Sequence, residues 1–257
     1  MLRITRDGIA KTAGSSVITV SHAGETIAVS LRRSAAARRF TLRVRFAARD
    51  AVLTMPSRSS LREAREFTER HAAWISARLR RLPDIIPFEH GAIVPMRGVD
   101  HRLTHRPDAR GTVWVETHDV NERGDAASLL CVAGAAEHMH RRIVDYLKRE
   151  ARRDLEEAVT RHTRALGLPP RGVGLRDTVS RWGSCSASGS LNFSWRLVMA
   201  PCFVLDYLAA HEVAHLQHLD HSARFWALAR RLCPETERAE AWLSAHGAHL
   251  HKYGAAE

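Results

Sequence analysis

The stretch HEVAHLQHLDHSARFW, residues 211–226, places four histidines, one glutamate and two aromatic side chains within sixteen positions. His211 and His215 are four apart, so on a helix they stand as neighbours on one face. Two imidazole nitrogens so arranged can reach one zinc ion at about 2.0–2.1 Å. Glu212 follows the first histidine and can lie beside the ion without binding it, where a carboxylate acts on water. HExxH on a helix carries this reading in metalloproteases. Upstream, Val204 and Leu208 continue the histidine face, so the pair is expected to point toward the interior.

A catalytic zinc takes a third protein ligand and keeps one position open. His218 is on the same helical side but its attachment point lies roughly 10 Å along the axis from His211, at about 1.5 Å rise per residue. Its ring would have to fold back sharply. Glu235 comes 24 residues after His211, a workable distance on a following helix. His221 comes ten after, with Leu219-Asp220 available to turn the chain. Spacing prefers His221 or Glu235 over His218 and does not separate the first two.

Outward from this stretch, Pro201 introduces the helix FVLDYLAAHEVAHLQH, Ser222 is placed to cap a further helix, and Pro234 separates that from a last helix around RAEAWLSAH. Just upstream, DTVSRWGSCSASGSLNFSWRLVMAP reads as a β-hairpin turning near Ser188-Gly189. Before it, Met139, Ile143, Leu147, Ala151, Leu155 and Val159 recur every four residues, predicting a long amphipathic helix that stops at Gly167. The N-terminal third is different. SVITVSH, TIAVSLRRS, RRFTLRVRF and AVLTMP are short β-like runs. In FTLRVRF, Phe40, Leu42, Val44 and Phe46 share one face while Arg43 and Arg45 lie on the other, which predicts a half-exposed antiparallel sheet with a basic wet side. A single helix is expected over SSLREAREFTERHAAWISARLRRLP, with Leu61, Ala64, Phe67, His71, Trp74 and Leu79 near one stripe and Pro83 at its end. Two or three strands follow, around HGAIVPMRG, TVWVET and SLLCVAG. The expected fold class is α+β: a basic β-rich region over 1–134, then a zincin-like region over 135–257 containing the long helix, the hairpin and the HExxH helix.

Composition narrows the setting. The 257 residues carry a formal charge of +11, and residues 1–88 hold 17 Lys and Arg against 7 Asp and Glu. Arg dominates, with Lys only at positions 11, 148 and 252, as codon bias would produce; codon bias does not explain the shortage of acids. The imbalance suggests a basic face able to meet nucleic acid or acidic polypeptide. No run of eighteen apolar residues exists, so no membrane partner is expected. MLRITRDGIAKTAGSS lacks the apolar core of a secretory signal. Cys131, Cys185, Cys202 and Cys233 form no CxxC pair, which fits a reducing cytoplasm better than a disulfide scaffold or zinc ribbon.

SRWGSCSASGSLNFSWRLVMAP followed by VLDYLAAHEVAHLQHLDHSARFWALARRLCP resembles the YgjP-like metallopeptidase-domain family, zincins akin to the SprT-like proteases. RRSAAARRFTLRV, TMPSRSSLREAREFTERHAAWI and FEHGAIVPMRG extend the likeness toward the N-terminus, less specifically. The resemblance implies a Zn2+ site of His211, His215 and His221 with Glu212 as general base. Unlike the crosslink proteases of that wider group, the chain shows no C-terminal zinc ribbon or partner-binding tail, so a DNA-repair role is not carried over.

The expectation from these readings is a zinc-dependent metallopeptidase acting on polypeptide. Two alternatives are a non-enzymatic zinc-stabilised nucleic-acid-binding protein and a metal-dependent hydrolase of non-peptide substrates. Glu212 argues against the first, because a structural zinc site needs no such carboxylate and usually closes with four ligands. Cys185 reads as a small buried residue rather than a nucleophile. The hairpin offers an edge strand to which an extended substrate could add. Trp182, Phe193, Trp195, Phe225 and Trp226 are expected mostly in the core. Arg181, Arg196, His246, His249, His251 and Tyr253 are candidates for oxyanion stabilisation.

Overall fold

A computed structural model describes residues 10–12, 15–45, 49–82, 84–117 and 128–254. Phe46 and Pro83, both used above, lie outside the described residues. The fold is α+β, and its contacts separate into two compact units, Met1–Asp84 and Ile85–Ala255, with Ala256–Glu257 grouped with the first. Among the described residues no helix is long and apolar enough to cross a membrane.

The first unit is a five-stranded sheet carrying two helices. Strands β1 (Ala10–Thr12), β2 (Ser15–His22), β3 (Glu25–Ser34), β4 (Thr41–Arg45) and β5 (Asp50–Pro56) lie in the order β1-β2-β3-β5-β4. Alternation buries Ile18, Val20, Ile27, Val29, Leu31, Leu53 and Met55 on one face and leaves Thr41, Arg43 and Arg45 exposed. The expectation of a purely antiparallel sheet fails at one seam: β3 and β5 run parallel, with Val29 opposite Ala51. β5 inserts between β3 and β4 because its own alternating residues, Ala51, Leu53 and Met55, are the most buried and belong at the centre.

The single helix expected after β5 is two, α1 (Leu61–Arg70) and α2 (Ala72–Arg80), which meet at His71. Ser60 starts α1 through a capping box with Glu63. At His71 the backbone leaves helical geometry (φ −108°, ψ 8°), and its Nδ1 lies 2.8 Å from Phe67 O. The break shifts the buried stripe to Ala64, Thr68, Ala72 and Ile75, leaving Trp74 exposed.

The second unit opens with a four-stranded sheet, β6 (Ile93–Met96), β7 (Val99–Arg106), β8 (Val113–Thr117) and β9 (Ser128–Ala133), ordered β6-β7-β9-β8. The sequence-based boundary at 134/135 would assign these strands to the N-terminal region. Instead Val94, Leu103, Leu130 and Val132 share one core with Ile143, Leu147 and Ala151 of helix α3 (Met139–Leu166). Arg97, in the β6–β7 turn, also reaches Asp154 of α3 at 2.7 Å and Glu150 at 2.8 Å. A four-stranded sheet with one apolar face must bury that face somewhere, and α3 supplies the partner.

All six apolar residues expected on one face of α3 are buried, and Gly167 (φ 71°) ends it in the left-handed conformation. The hairpin that follows joins β11 (Gly183–Cys185) to β12 (Ser190–Ser194), with β10 (Gly172–Arg176) parallel to β12 on its other side. The hairpin's second arm ends sooner than its sequence suggests: Trp195–Met199 is a 3-10 turn whose five residues are all buried. Then come α4 (Cys202–Ala214), α5 (Ala223–Leu232) and α6 (Thr236–His246). Val204, Leu205, Leu208, Ala209, Ala210 and Val213 are all buried, so α4 is covered on every side and forms the centre of this unit.

Candidate metal centre

The candidate ligands are presented where α4 ends. His211 and His215 follow from its i, i+4 geometry, and His215 is the residue that ends the helix. The chain then turns through Leu219 and Asp220, and Ser222 caps α5 by accepting from Phe225 N. His221 immediately precedes that cap, so the start of α5 returns its ring to the end of α4. Phe225, fully buried, lies under all three: its ring centre is 4.9 Å from that of His211, 4.4 Å from His215 and 4.8 Å from His221.

One nitrogen from each histidine lies within 4.8 Å of the others. His211 Nε2 and His221 Nε2 are 3.2 Å apart. Bonds of about 2.0–2.1 Å at tetrahedral angles require ligand atoms about 3.3 Å apart, so this spacing suits one ion. The distal nitrogens are engaged in ways that leave the proximal ones free. His215 Nδ1 lies 2.9 Å from His218 O, a carbonyl that can only accept, so Nδ1 carries the proton. Tyr207 donates its hydroxyl to Glu240 Oε1 at 3.0 Å and therefore accepts from His211 Nδ1 at 3.2 Å. Burial, followed by the neighbouring imidazoles His215 and His221, pushes the His211 pKa down to about 4, and burial lowers that of His215. Both stay neutral at physiological pH, the form that binds metal.

Glu212 is buried on the cleft side of α4 next to this cluster. Burial pushes its pKa up to about 7, against the opposing field of Arg181. Its Oε2 is enclosed and makes no hydrogen bond among the described residues. A buried carboxylate oxygen without a partner, beside three converging imidazoles, is what a site for a cation and a water would contain. Gly183 of β11 lies directly against it: a Cβ there would collide with the Glu212 carboxyl group. The absence of a side chain at 183 thus lets the strand approach the carboxylate. Trp182, Gly183, Tyr207, Leu208, His211, Glu212, Glu240 and Leu243 line an open cleft of about 310 Å3.

A family profile described as "YgjP-like, metallopeptidase domain" matches residues 38–246. The chain belongs to that family. No curated protein and no solved structure shows a significant match. Membership supports a metallopeptidase role and a metal ion, and the match covers both the basic sheet's β4–β5 end and the whole histidine cluster of this YgjP-like chain.

Other candidate residues fall away from the cleft. His218 contributes its carbonyl, and Glu235 pairs with Arg238 at 2.7 Å on the surface. Arg196 is buried, paired with Asp177 at 2.7 Å, donating to Leu250 O and Tyr253 O, and lying over the Trp195 ring. Its guanidinium is saturated by structural partners, which removes it as an oxyanion donor. His246, His249 and Tyr253 line a different pocket with Trp242 and Lys252, while His251 is buried against Trp182. Burial raises the Cys185 thiol pKa, the opposite of nucleophile activation. Phe193, Trp195 and Phe225 are core, as expected, and Trp182 faces the cleft. Tyr207 and Glu240 had no part in the sequence reading. Tyr207 lies one helical turn before His211, a signal that could have found it; Glu240 comes from α6 and has no local signal.

Proposed function

We propose that this protein is a zinc-dependent peptidase in which His211, His215 and His221 hold the ion and Glu212 is the general base. The observation that carries this reading is the convergence of three histidine nitrogens within 4.8 Å of one another, with the buried Glu212, whose Oε2 has no partner among the described residues, on the cleft that His211 also lines. Zinc at these imidazoles supplies Lewis acidity, lowering the pKa of a water and polarising a substrate carbonyl. Glu212 takes the proton of the attacking water at its carboxylate and returns it to the leaving amine. Burial of the Glu212 side chain limits the access of bulk water to that proton, and the Tyr207–Glu240 pair keeps the His211 ring oriented. β11 provides backbone groups along which an extended peptide can lie. The reaction is peptide hydrolysis; the exposed arginines of the first unit make a polyanion a reasonable second partner, tested below.

The test is Glu212→Gln. The variant is expected to fold, to retain about one zinc per chain, and to hydrolyse denatured protein slower by about a hundredfold or more, the usual weight of a positioned acid–base group. Equal activity in both proteins removes Glu212 as the base, and loss of zinc makes it a ligand instead.

A further inference from the structure

β11 has two faces, and only one belongs to the cleft described above. Trp182 O accepts from Ser194 N at 2.8 Å and Ser186 N donates to Ser190 O at 2.9 Å, so residues 182 and 186 turn their backbone groups toward β12. By the alternation of an antiparallel ladder, Gly183 and Cys185 turn theirs away, toward the open edge of the sheet. Gly183 faces Glu212. Ser184, paired with Asn192, faces the opposite way, and beside it opens a second pocket of about 230 Å3 that shares Trp182 and Gly183 with the cleft. Arg176, Thr178, Ser180, Arg181, Ser184 and Asn192 are among its lining residues.

The chemistry of this pocket is one-sided. Arg176 and Arg181 are exposed, and neither makes an ion pair among the described residues. The loop between them contains one carboxylate, Asp177, and Arg196 already holds it at 2.7 Å. The same ion pair anchors one end of the loop, and Thr178 Oγ1 donating to Arg181 O at 2.8 Å braces the other. Two guanidiniums without a carboxylate partner among the described residues are thus held over one cavity with the Ser180 and Ser184 hydroxyls and the Asn192 amide, Arg176 Nη1 making one long contact to Leu175 O at 3.5 Å. Several other arginines of this unit are held by carboxylates, as Arg97 is by Asp154 and Arg161 by Asp206.

We infer that this pocket is a specificity subsite for an acidic side chain, Asp or Glu, of the peptide substrate; the inference rests on the peptidase reading above. On a strand added to β11, a residue level with Gly183 shares its face and points at Glu212, while the neighbour level with Ser184 points into the arginine pocket. Pleat alternation therefore couples a scissile position to an acidic residue next to it. A carboxylate there meets Arg in the fork geometry that suits it. Such a preference would direct the enzyme toward acidic, extended polypeptide and away from its own basic surface.

The experiment uses zinc-loaded full-length protein and a matched set of unstructured peptides carrying Glu, Gln or Lys at each position flanking the cut. Glu next to the cleaved bond is expected to raise kcat/KM over Gln by about tenfold, the size of one charge-assisted hydrogen bond at a partly open site. The double variant Arg176→Glu/Arg181→Glu is expected to reverse the order, so that Lys exceeds Glu; the ratio within one protein is read, whatever its absolute rate. Binding of the same peptides to the slow Glu212→Gln protein should follow the same order. Hydrolysis indifferent to charge overturns the subsite and leaves the peptidase reading standing. No hydrolysis of any peptide overturns both. A pocket whose reversal abolishes salt-sensitive DNA binding while leaving peptide preference unchanged is a phosphodiester site, and the inference is then wrong.

Discussion

The two units handle polar side chains in opposite ways. In the first, Arg43 and Arg45 stand on the solvent face of a sheet whose other face holds the core. In the second, Glu212, His215, Arg196 and His162 are buried, and most have a definite partner. Exposed charges act collectively and weakly, because water and salt screen each one. Buried polar groups act singly, because each has been removed from water for one geometry. Substitutions in the second unit should therefore have large, residue-specific effects, and those in the first small, interchangeable ones.

The largest expected effect separates the candidate ligands. His221→Ala should weaken zinc binding by more than the roughly 10–100-fold typical of a residue that only supports a ligand. His218→Ala, which keeps the carbonyl that orients His215, and Glu235→Ala, which removes only a surface ion pair, should keep about one zinc per chain. Metal analysis under chelator competition decides, and zinc retained in the His221 variant but lost in the Glu235 variant overturns the assignment. Tyr207→Phe belongs to the supporting class. It removes the acceptor at His211 Nδ1 and should lower zinc affinity by about tenfold in the same assay, with the fold intact.

Next in size is the Arg196–Asp177 pair, which tests burial apart from catalysis. Burial raises the Asp177 pKa, but the hydrogen bonds and charge of Arg196 outweigh it and hold the carboxyl below its usual range. A depressed folded value means that the stabilisation is present above the unfolded pKa of about 3.9 and disappears as pH falls through the lower folded value. Asp177→Asn should destabilise the protein at pH 7 by about 1–2 kcal/mol, discounted because the Asp side is half exposed. The deficit should shrink below about pH 4, where the wild type loses the same term. A deficit independent of pH in urea unfolding would show that the pair is not what Asp177 contributes.

The smallest effect is expected in the first unit. Duplex DNA should bind weakly and with an affinity that falls steeply as salt rises. Arg43→Ser should reduce the slope of log affinity against log salt by about one. Arg45 is already paired with Asp50, so its replacement should change the slope less than replacement of Arg43. If binding is absent even at low salt, the basic face serves solubility alone and the contrast between the units is sharper still.

Much of this was legible from local pattern. The four-residue period of α3, its stop at Gly167, the hairpin turn at Gly189, the Ser222 cap and the placing of His211 beside His215 each depend on residues a few positions apart. Steric and hydrogen-bonding rules at that range are properties of the chain itself. What tertiary structure decided involves partners distant in sequence. The parallel seam between β3 and β5, the attachment of β6–β9 to α3, and the capture of Arg196 by Asp177 and two C-terminal carbonyls follow from which faces most needed burial. Spacing left His221 and Glu235 equivalent. The turn into α5, packed on Phe225, brought one ring to the cluster, while the other side chain stayed on the surface beside Arg238. Local rules specify the elements and the direction each side chain leaves its backbone; the meeting of two such side chains depends on how the apolar faces pack, and no spacing within one segment contains that information.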